Sequence, residues 1–564
     1  MVVRSAEFDV TFDSTGNYVT SKAFCVQVSY LYNADGEMTK KIIRDASGDE
    51  QIYKYTNPEG SNPVVTLPTG VVSQSKTDKF GRKEFDELQL GRAFMYRQFT
   101  YHDGSITGRN RLSENLKSTP TTNLVKEIAL EGGRTLAYKY DEEERITKVT
   151  DSVDGMTDYT YDALGQLTEE RVTPVGSAQA TRTTVMTYDN YGNILSKTTN
   201  DVTKTYEYNC TWKDKLTAVD GVPIVYDNLG NPISYLGHNL TWEKGHQLNS
   251  FDNNTYTYNA NGIRTSKTVD GVLHTYQLDG TKILKETWGD CTLIPLYNNE
   301  DSVCGIIYDD AAYYFHKNLQ GDVIGIKNAY GVLVARYTYD AWGNVIAVTD
   351  EDGFDVFDNA AHVANANPFR YRGYYYDAEI EMYYLQSRYY DPVVGRFINA
   401  DNINWLTMDQ TVLNTNLYCY CTNDPVNNSD CNGTAIRTVL KKIIQFIINA
   451  IAGAFGVYII DVTENIVSKT EPYYMRRSPI GVYIAEALRC GSRALWGSSL
   501  SRKLAIAAGV TIINNLIQIL FEGKTFNFWG FFIEFCLSLL IVVAIEYAPG
   551  LKKFLKQKTS KRPF

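Results

Sequence analysis

Residues 370–401 read RYRGYYYDAEIEMYYLQSRYYDPVVGRFINAD. Tyrosines cluster at 374–376, 383–384 and 389–390, and Asp377, Asp391-Pro392 and Gly395 stand between or after them. Alternate residues of a strand share a face, while Asp, Pro and Gly reverse the chain. The stretch combines a density of tyrosines found nowhere else in the chain with two Asp-containing turns and a closing Gly395-Arg396-Phe397.

Outward from it, a unit of the form Tyr-x-Tyr-Asp-x-x-Gly-x-hydrophobic recurs. It is clearest at Tyr159-Thr-Tyr161-Asp162-Ala-Leu-Gly165-Gln-Leu167 and Tyr337-Thr-Tyr339-Asp340-Ala-Trp-Gly343-Asn-Val345. Looser copies include Tyr138-Lys-Tyr140-Asp141, Tyr188-Asp189-Asn-Tyr-Gly192, Tyr226-Asp227-Asn-Leu-Gly230 and Tyr256-Thr-Tyr258-Asn259-Ala-Asn-Gly262. In each, Tyr at i and i+2 share a strand face, Asp or Asn bonds the turn backbone, and Gly supplies a positive φ. One copy cannot bury its aromatic row, so neighbours must stack. Closing such a sheet into a spiral or barrel removes most of its aggregation-prone edges.

The repeat and the 370–401 stretch resemble RHS/YD-repeat proteins, the family of polymorphic toxins, insecticidal toxin-complex C components and the teneurin shell. The resemblance implies a mainly β fold: a YD-repeat spiralling β-shell, closed near its end by the tyrosine-rich core motif. On this reading residues 1–130 are a β-rich region of degenerate repeats, 131–365 the YD-repeat shell, 366–433 the core, and 434–564 a small hydrophobic, basic, α-helical tail. Family shells come from longer chains than 433 residues, so a partial shell or an upstream segment is expected. The acidic N-terminus, with Glu7, Asp9 and Asp13, is not a signal peptide.

Charge divides the chain in the same place. Residues 434–564 carry 17 Lys+Arg against 7 Asp+Glu, net +10, leaving 38 against 58, net −20, for residues 1–433. An acidic, tyrosine-rich body argues against nucleic acid as a partner. There is no P-loop, no dinucleotide-binding glycine fingerprint and no nucleophile elbow. The nine cysteines outline no disulfide framework. Cys419, Cys421 and Cys431 have no histidine after His362 to complete a zinc site, and His238 with His246 reads as a surface strand and turn. No cofactor and no metal are expected.

After the core, residues 417–433 read LYCYCTNDPVNNSDCNG. In self-cleaving family members paired aspartates cut the chain just beyond this point, and Asp401 and Asp430 match the two acidic positions. Arg396 matches a retained arginine, and the bond would lie near Thr434, at about Thr434-Ala435. Two close carboxylates suit the chemistry, because proximity raises one pKa and leaves one acid and one base. Three departures weigh against it: Cys431 in place of proline, Thr434 in place of leucine, and Glu381 at a turn where glycine is expected.

In the tail, apolar stretches run over 443–460, 504–521 and 526–548, flanked by Lys441, Lys442, Arg502, Lys503, Lys552 and Lys553. About 20 apolar residues cross a bilayer, and Glu534 inside the third stretch opposes spanning. The tail holds no histidine, so an enzymatic toxin is not expected there. The expected function is a bacterial RHS-type shell or delivery protein, secreted or at the cell surface, presenting a membrane-active tail. Its partners would be membrane lipid through 434–564 and an immunity protein, and its only enzymatic act aspartate-dependent autoproteolysis. The alternatives are a surface-anchored structural protein that binds carbohydrate or another partner without catalysis, and an inert fragment of a larger toxin.

Overall fold

The computed structural model describes residues 2–7, 10–12, 18–21, 26–33, 37–45, 47–56, 63–78, 80–103, 121–401, 416–430 and 433. The expected helical tail, 434–564, lies outside the described residues, and so does its membrane association. Among the described residues no helix is long and apolar enough to cross a membrane.

Each YD unit folds as its residues dictate. At Asp162 the carboxylate Oδ1 accepts the N–H groups of Leu164 and Gln166 at 2.9 Å each, the Asp162 N–H bonds Gln166 O at 3.0 Å, and Gly165 takes φ 84°. The same side-chain turn recurs at Asp189, Asp227, Asn259, Asn328 and Asp340. Beyond the turn a β-bulge displaces the register, as between Thr160 and Tyr161 opposite Leu167, which sharpens the twist of the hairpin.

The second tyrosine of the unit reaches back to the preceding hairpin. Tyr161 OH donates to Ile146 O at 2.6 Å, Tyr208 OH to Ile194 O at 2.9 Å, Tyr297 OH to Ile283 O at 2.8 Å and Tyr339 OH to Val323 O at 2.9 Å. Tyrosine rather than phenylalanine thus serves the repeat, because the phenol spans one hairpin to the next and satisfies a carbonyl there.

These hairpins join into one 31-stranded antiparallel sheet. Every strand from Val26–Tyr32 to Val345–Thr349 pairs with its sequence neighbour, and Val2–Glu7 adds outside Val26–Tyr32. The strands from Val26–Tyr32 to Thr121–Leu130 belong to the same meander as the clear repeats, and Asn33 Oδ1 accepts from Glu37 N at 2.8 Å.

The meander is wound on itself. Tyr30 OH bonds Asp279 Oδ2 at 2.9 Å, Ser73 bonds Asn299 at 2.8 Å, Arg97 reaches Asn318 O at 3.2 Å, and Glu170 accepts from Ala341 N at 2.8 Å. Both members of these pairs rise in step, so the early strands run alongside the later ones in one sense, as successive windings of a spiral do.

Residues 366–400 and 418–430 pack against the inner side chains of this winding. Four short strands, Tyr375–Asp377, Met382–Tyr384, Tyr389–Asp391 and Arg396–Phe397, form a separate sheet. Their tyrosines pack on both faces: Tyr390 stacks on Tyr420 with ring centroids 4.0 Å apart. The last complete YD turn is covered by three phenols, Tyr371 OH on Ala341 O at 3.0 Å, Tyr390 OH on Trp342 O at 2.7 Å and Tyr383 OH on Gly343 O at 2.8 Å. A Cβ at Gly343 would stand 2.5 Å from the Tyr371 ring, so the plug and that turn require glycine there. Core motif and shell are accordingly one compact unit, residues 1–400 with 418–433, while 401–417 and 434–564 group as a second.

Candidate functional site

Charged side chains that tie the core motif to the shell must be buried, and each finds a partner. Asp377 accepts both ends of the Arg264 guanidinium, at 2.6 and 2.9 Å, and the Lys267 ammonium at 2.9 Å. Burial opposes its charge, but Arg264 and Lys267 win and hold the carboxyl below its usual range. Glu379, also on Lys267, is pushed up by burial and by Asp377.

Arg396 leaves the last short strand into the shell. Its Nη1 donates to Tyr208 OH at 2.9 Å and Asn193 Oδ1 at 3.1 Å, and its Nη2 to Asp214 O at 2.7 Å. Asp401 follows it by five positions, and its N–H bonds Leu417 O at 3.0 Å. Asp430 lies in the shell unit, with its N–H on Tyr374 OH at 2.9 Å and its Oδ2 3.4 Å from Arg388 Nη2. Asp430 and Arg396 belong to the first compact unit and Asp401 to the second.

Arg388 and Ser387 are the residues that sequence reading missed. Ser387 Oγ donates to Gly433 O at 2.9 Å, and Arg388 Nε donates to the same carbonyl at 2.5 Å. The Arg388 guanidinium also lies over Phe397, its Cζ 3.5 Å from the ring centroid. Gly433 has φ 73°, and a Cβ there would meet Ser387 Oγ at 2.5 Å and Leu385 O at 3.0 Å. The carbonyl of the last described residue is thus gripped by two donors, one of them cationic. Such a pair polarises a carbonyl. An arginine amid buried tyrosines must find an acceptor, and that was the available signal for Arg388; the acceptor itself lies 45 positions away.

Nearby, burial raises the Asp424 carboxyl to about 6 against hydrogen bonds from Asn427. Glu381 adopts φ 55°, the left-handed conformation its turn position predicts. His238 pairs with Asp252 and His246 with Asn231, each within the strand-and-turn region expected for them.

A family model described as Teneurin YD-shell matches residues 157–426, the stretch that holds the clear repeats and most of the plug. Residues 157–426 are thus similar in sequence to the teneurin YD-shell. Among curated proteins, tRNA nuclease WapA of Bacillus subtilis (strain 168) is 34% identical over 268 residues, 45% of this chain and 11% of that protein. Salivary gland surface protein 1 of Aedes aegypti is 33% identical over 124 residues, 22% of this chain and 3% of that protein. The YD-shell chain thus spans about a tenth of the length of the WapA protein it matches. Among solved structures, the Photorhabdus luminescens Tc holotoxin pore aligns with a TM-score of 0.51 at 17% identity, over 72% of this chain and 21% of that one, a likeness of fold.

Proposed function

We propose that this YD-shell encloses or presents the segment that follows Gly433 and releases it by aspartate-dependent cleavage near Thr434. The observation that carries the reading is the double grip of Ser387 Oγ and Arg388 Nε on the Gly433 carbonyl, beside an Asp430 carboxylate on the same arginine. It supports a chain held still and a carbonyl polarised where the tail begins.

In the proposed hydrolysis, an ionised carboxylate takes a proton from water and the resulting hydroxide adds to the carbonyl. The protonated partner carboxyl then gives its proton to the departing amine. Asp430, on its guanidinium, suits the ionised role, and the resemblance assigns the partner role to Asp401. The grip on the Gly433 carbonyl favours the Gly433-Thr434 bond, whereas the resemblance gives Thr434-Ala435, and the new N-terminus, Thr434 or Ala435, distinguishes them. Arg396 is the third residue that the resemblance gives to the site, to hold the ionised partner or polarise the carbonyl, and it also donates to Asn193, Tyr208 and the Asp214 carbonyl.

The released segment in this reading is the basic, apolar tail acting on a membrane. The nuclease named in the WapA relatives is not carried over, because residues 434–564 contain no histidine and a single aspartate, Asp461. A secreted or cell-surface location fits a toxin-like shell.

The test is intact and denatured mass spectrometry of the parent beside Asp401→Asn, Asp430→Asn and Arg388→Gln. A C-terminal fragment beginning at Thr434 or Ala435 in the parent, absent from both aspartate variants and slowed at least tenfold in Arg388→Gln, is the expected result. One uncut chain in all four samples removes the cleavage.

A further inference from the structure

Asn399 is 0% exposed, and both polar atoms of its side chain, Oδ1 and Nδ2, are buried without a hydrogen-bond partner. Native interiors rarely leave even one such group unpaired. An amide open at both ends weakens the fold, and a polar side chain kept at such a loss points to a task in the chemistry.

The ladder of the core motif sets where Asn399 stands. Phe397 is opposite Tyr390, and the pairing runs one step further, with the Ile398 N–H on Tyr389 O at 3.0 Å. One residue past that pair, where the first chain begins to bend, stand Asn399 and, on the other strand, Arg388. A hydrogen-bonded opposite pair holds its Cα atoms about 5.5 Å apart, and consecutive Cα atoms are about 3.8 Å apart, so Asn399 and Arg388 are neighbours across the two chains. Arg388 is the residue whose Nε holds the Gly433 carbonyl and whose Nη2 meets Asp430. A Cβ on Gly433 would stand 3.1 Å from Arg388 N, so the gripped glycine and Asn399 flank the same arginine.

We propose that Asn399 holds the water that attacks the Gly433 carbonyl, a role that rests on the cleavage proposed above. One water answers every open group. It gives one O–H to Asn399 Oδ1, accepts from Nδ2, gives its other O–H to the Asp430 carboxylate, and keeps a lone pair for the carbonyl carbon. Three polar partners are what a buried water needs. As the new C–O bond forms, the second proton passes to Asp430. The C–N bond to Thr434 then breaks, and its electron pair takes the proton of the partner carboxyl. Because it touches the attacking oxygen, Asn399 is a catalytic residue in this scheme.

The experiment follows the full chain by mass spectrometry after pulsed cell-free synthesis, in the parent and in Asn399→Leu. Thermal unfolding of Asn399→Leu is measured in the uncut Asp430→Asn background. Leucine is close in shape and removes both open polar atoms, so the fold loses no hydrogen bond while the water loses its partners. Cleavage at least 100-fold slower, with a Tm equal to or above that of Asp430→Asn alone, is the expected outcome. A parent-like rate in Asn399→Leu overturns the role of Asn399 and leaves cleavage standing, whereas an uncut parent removes cleavage and the water together. A slowed cut with a lowered Tm assigns Asn399 to packing and overturns the proposal. Should Asn399→Leu fail to fold, the rate of Asn399→Ala decides: at least tenfold slower is expected, and a parent-like rate overturns the assignment.

Discussion

Arg264 and Asp377 form a bidentate ion pair at 2.6 and 2.9 Å, with side chains 2% and 0% exposed, across 113 positions of sequence. One partner comes from a shell strand and the other from the core motif, and four tyrosine rings, of Tyr256, Tyr276, Tyr375 and Tyr384, surround the guanidinium. The pair is the electrostatic pin between plug and shell. A buried pair adds little net energy over an apolar replacement, but removing one partner strands the other charge. Asp377→Asn should therefore destabilise the shell by about 3–5 kcal/mol, read by urea unfolding. A loss under 1 kcal/mol would show that the plug does not depend on it.

The phenol ladder makes a second prediction. Tyr161 OH donates to Ile146 O and accepts from Asn427 Nδ2 at 3.0 Å, joining two hairpins and the segment after the core. Tyr161→Phe keeps the ring, takes this donor from the Ile146 carbonyl and leaves Asn427 Nδ2 only its bonds to Asp424, a cost of about 1–3 kcal/mol. Tyr330, 90% exposed at a turn tip, is the control. Tyr330→Phe should stay within about 0.5 kcal/mol, and equal effects at the two positions in a thermal melt would refute the ladder.

Glu381 takes φ 55° in a turn between two strands of the plug. A side chain in the left-handed region costs on the order of 1 kcal/mol, which glycine avoids. Glu381→Gly should raise stability by up to about 1 kcal/mol without changing the fold. A lower Tm would show that the carboxylate has a stabilising contact that outweighs the strain.

The pH dependence follows from Asp424. Burial raises its carboxyl from 3.8 to about 6, so the folded state holds a proton that the unfolded chain has released. The sign is that of a raised acid: this contribution is full below pH about 4, declines as pH rises, and is gone above about 6. Unfolding free energy measured from pH 4 to 7 should fall through that window in the parent and flatten in Asp424→Asn. An identical slope in the two would assign the dependence elsewhere.

The turns were legible because their causes are local. Asp162 bonds residues two and four positions on, and Gly165 is needed by its own φ, so one repeat of sequence contains every atom involved. The degenerate region before residue 131 was harder to read. Its strands carry few Tyr-Asp units, yet they pair in the same meander because an antiparallel ladder needs only backbone groups and the next strand. Asp401, Asp430 and Arg396 were readable as positions, from the resemblance. Arg388 was not, since nothing around it in the chain shows that its acceptors are Asp430 and the Gly433 carbonyl.

By itself, then, the sequence determined the repeating strand and turn, the aromatic face of each unit, the change from an acidic to a basic stretch after residue 433, and a core motif too aromatic to sit in water. The repeat follows from spacing and turn chemistry within one unit, and the change of charge from sums over long stretches. Only the tertiary structure decided which winding lies against which, that Arg264 meets Asp377 and not another acid, and that Ser387 and Arg388 meet the Gly433 carbonyl. Each of these depends on partners brought together by folding, and in a buried, low-dielectric interior the energy of a charge is set by whichever group folding places beside it.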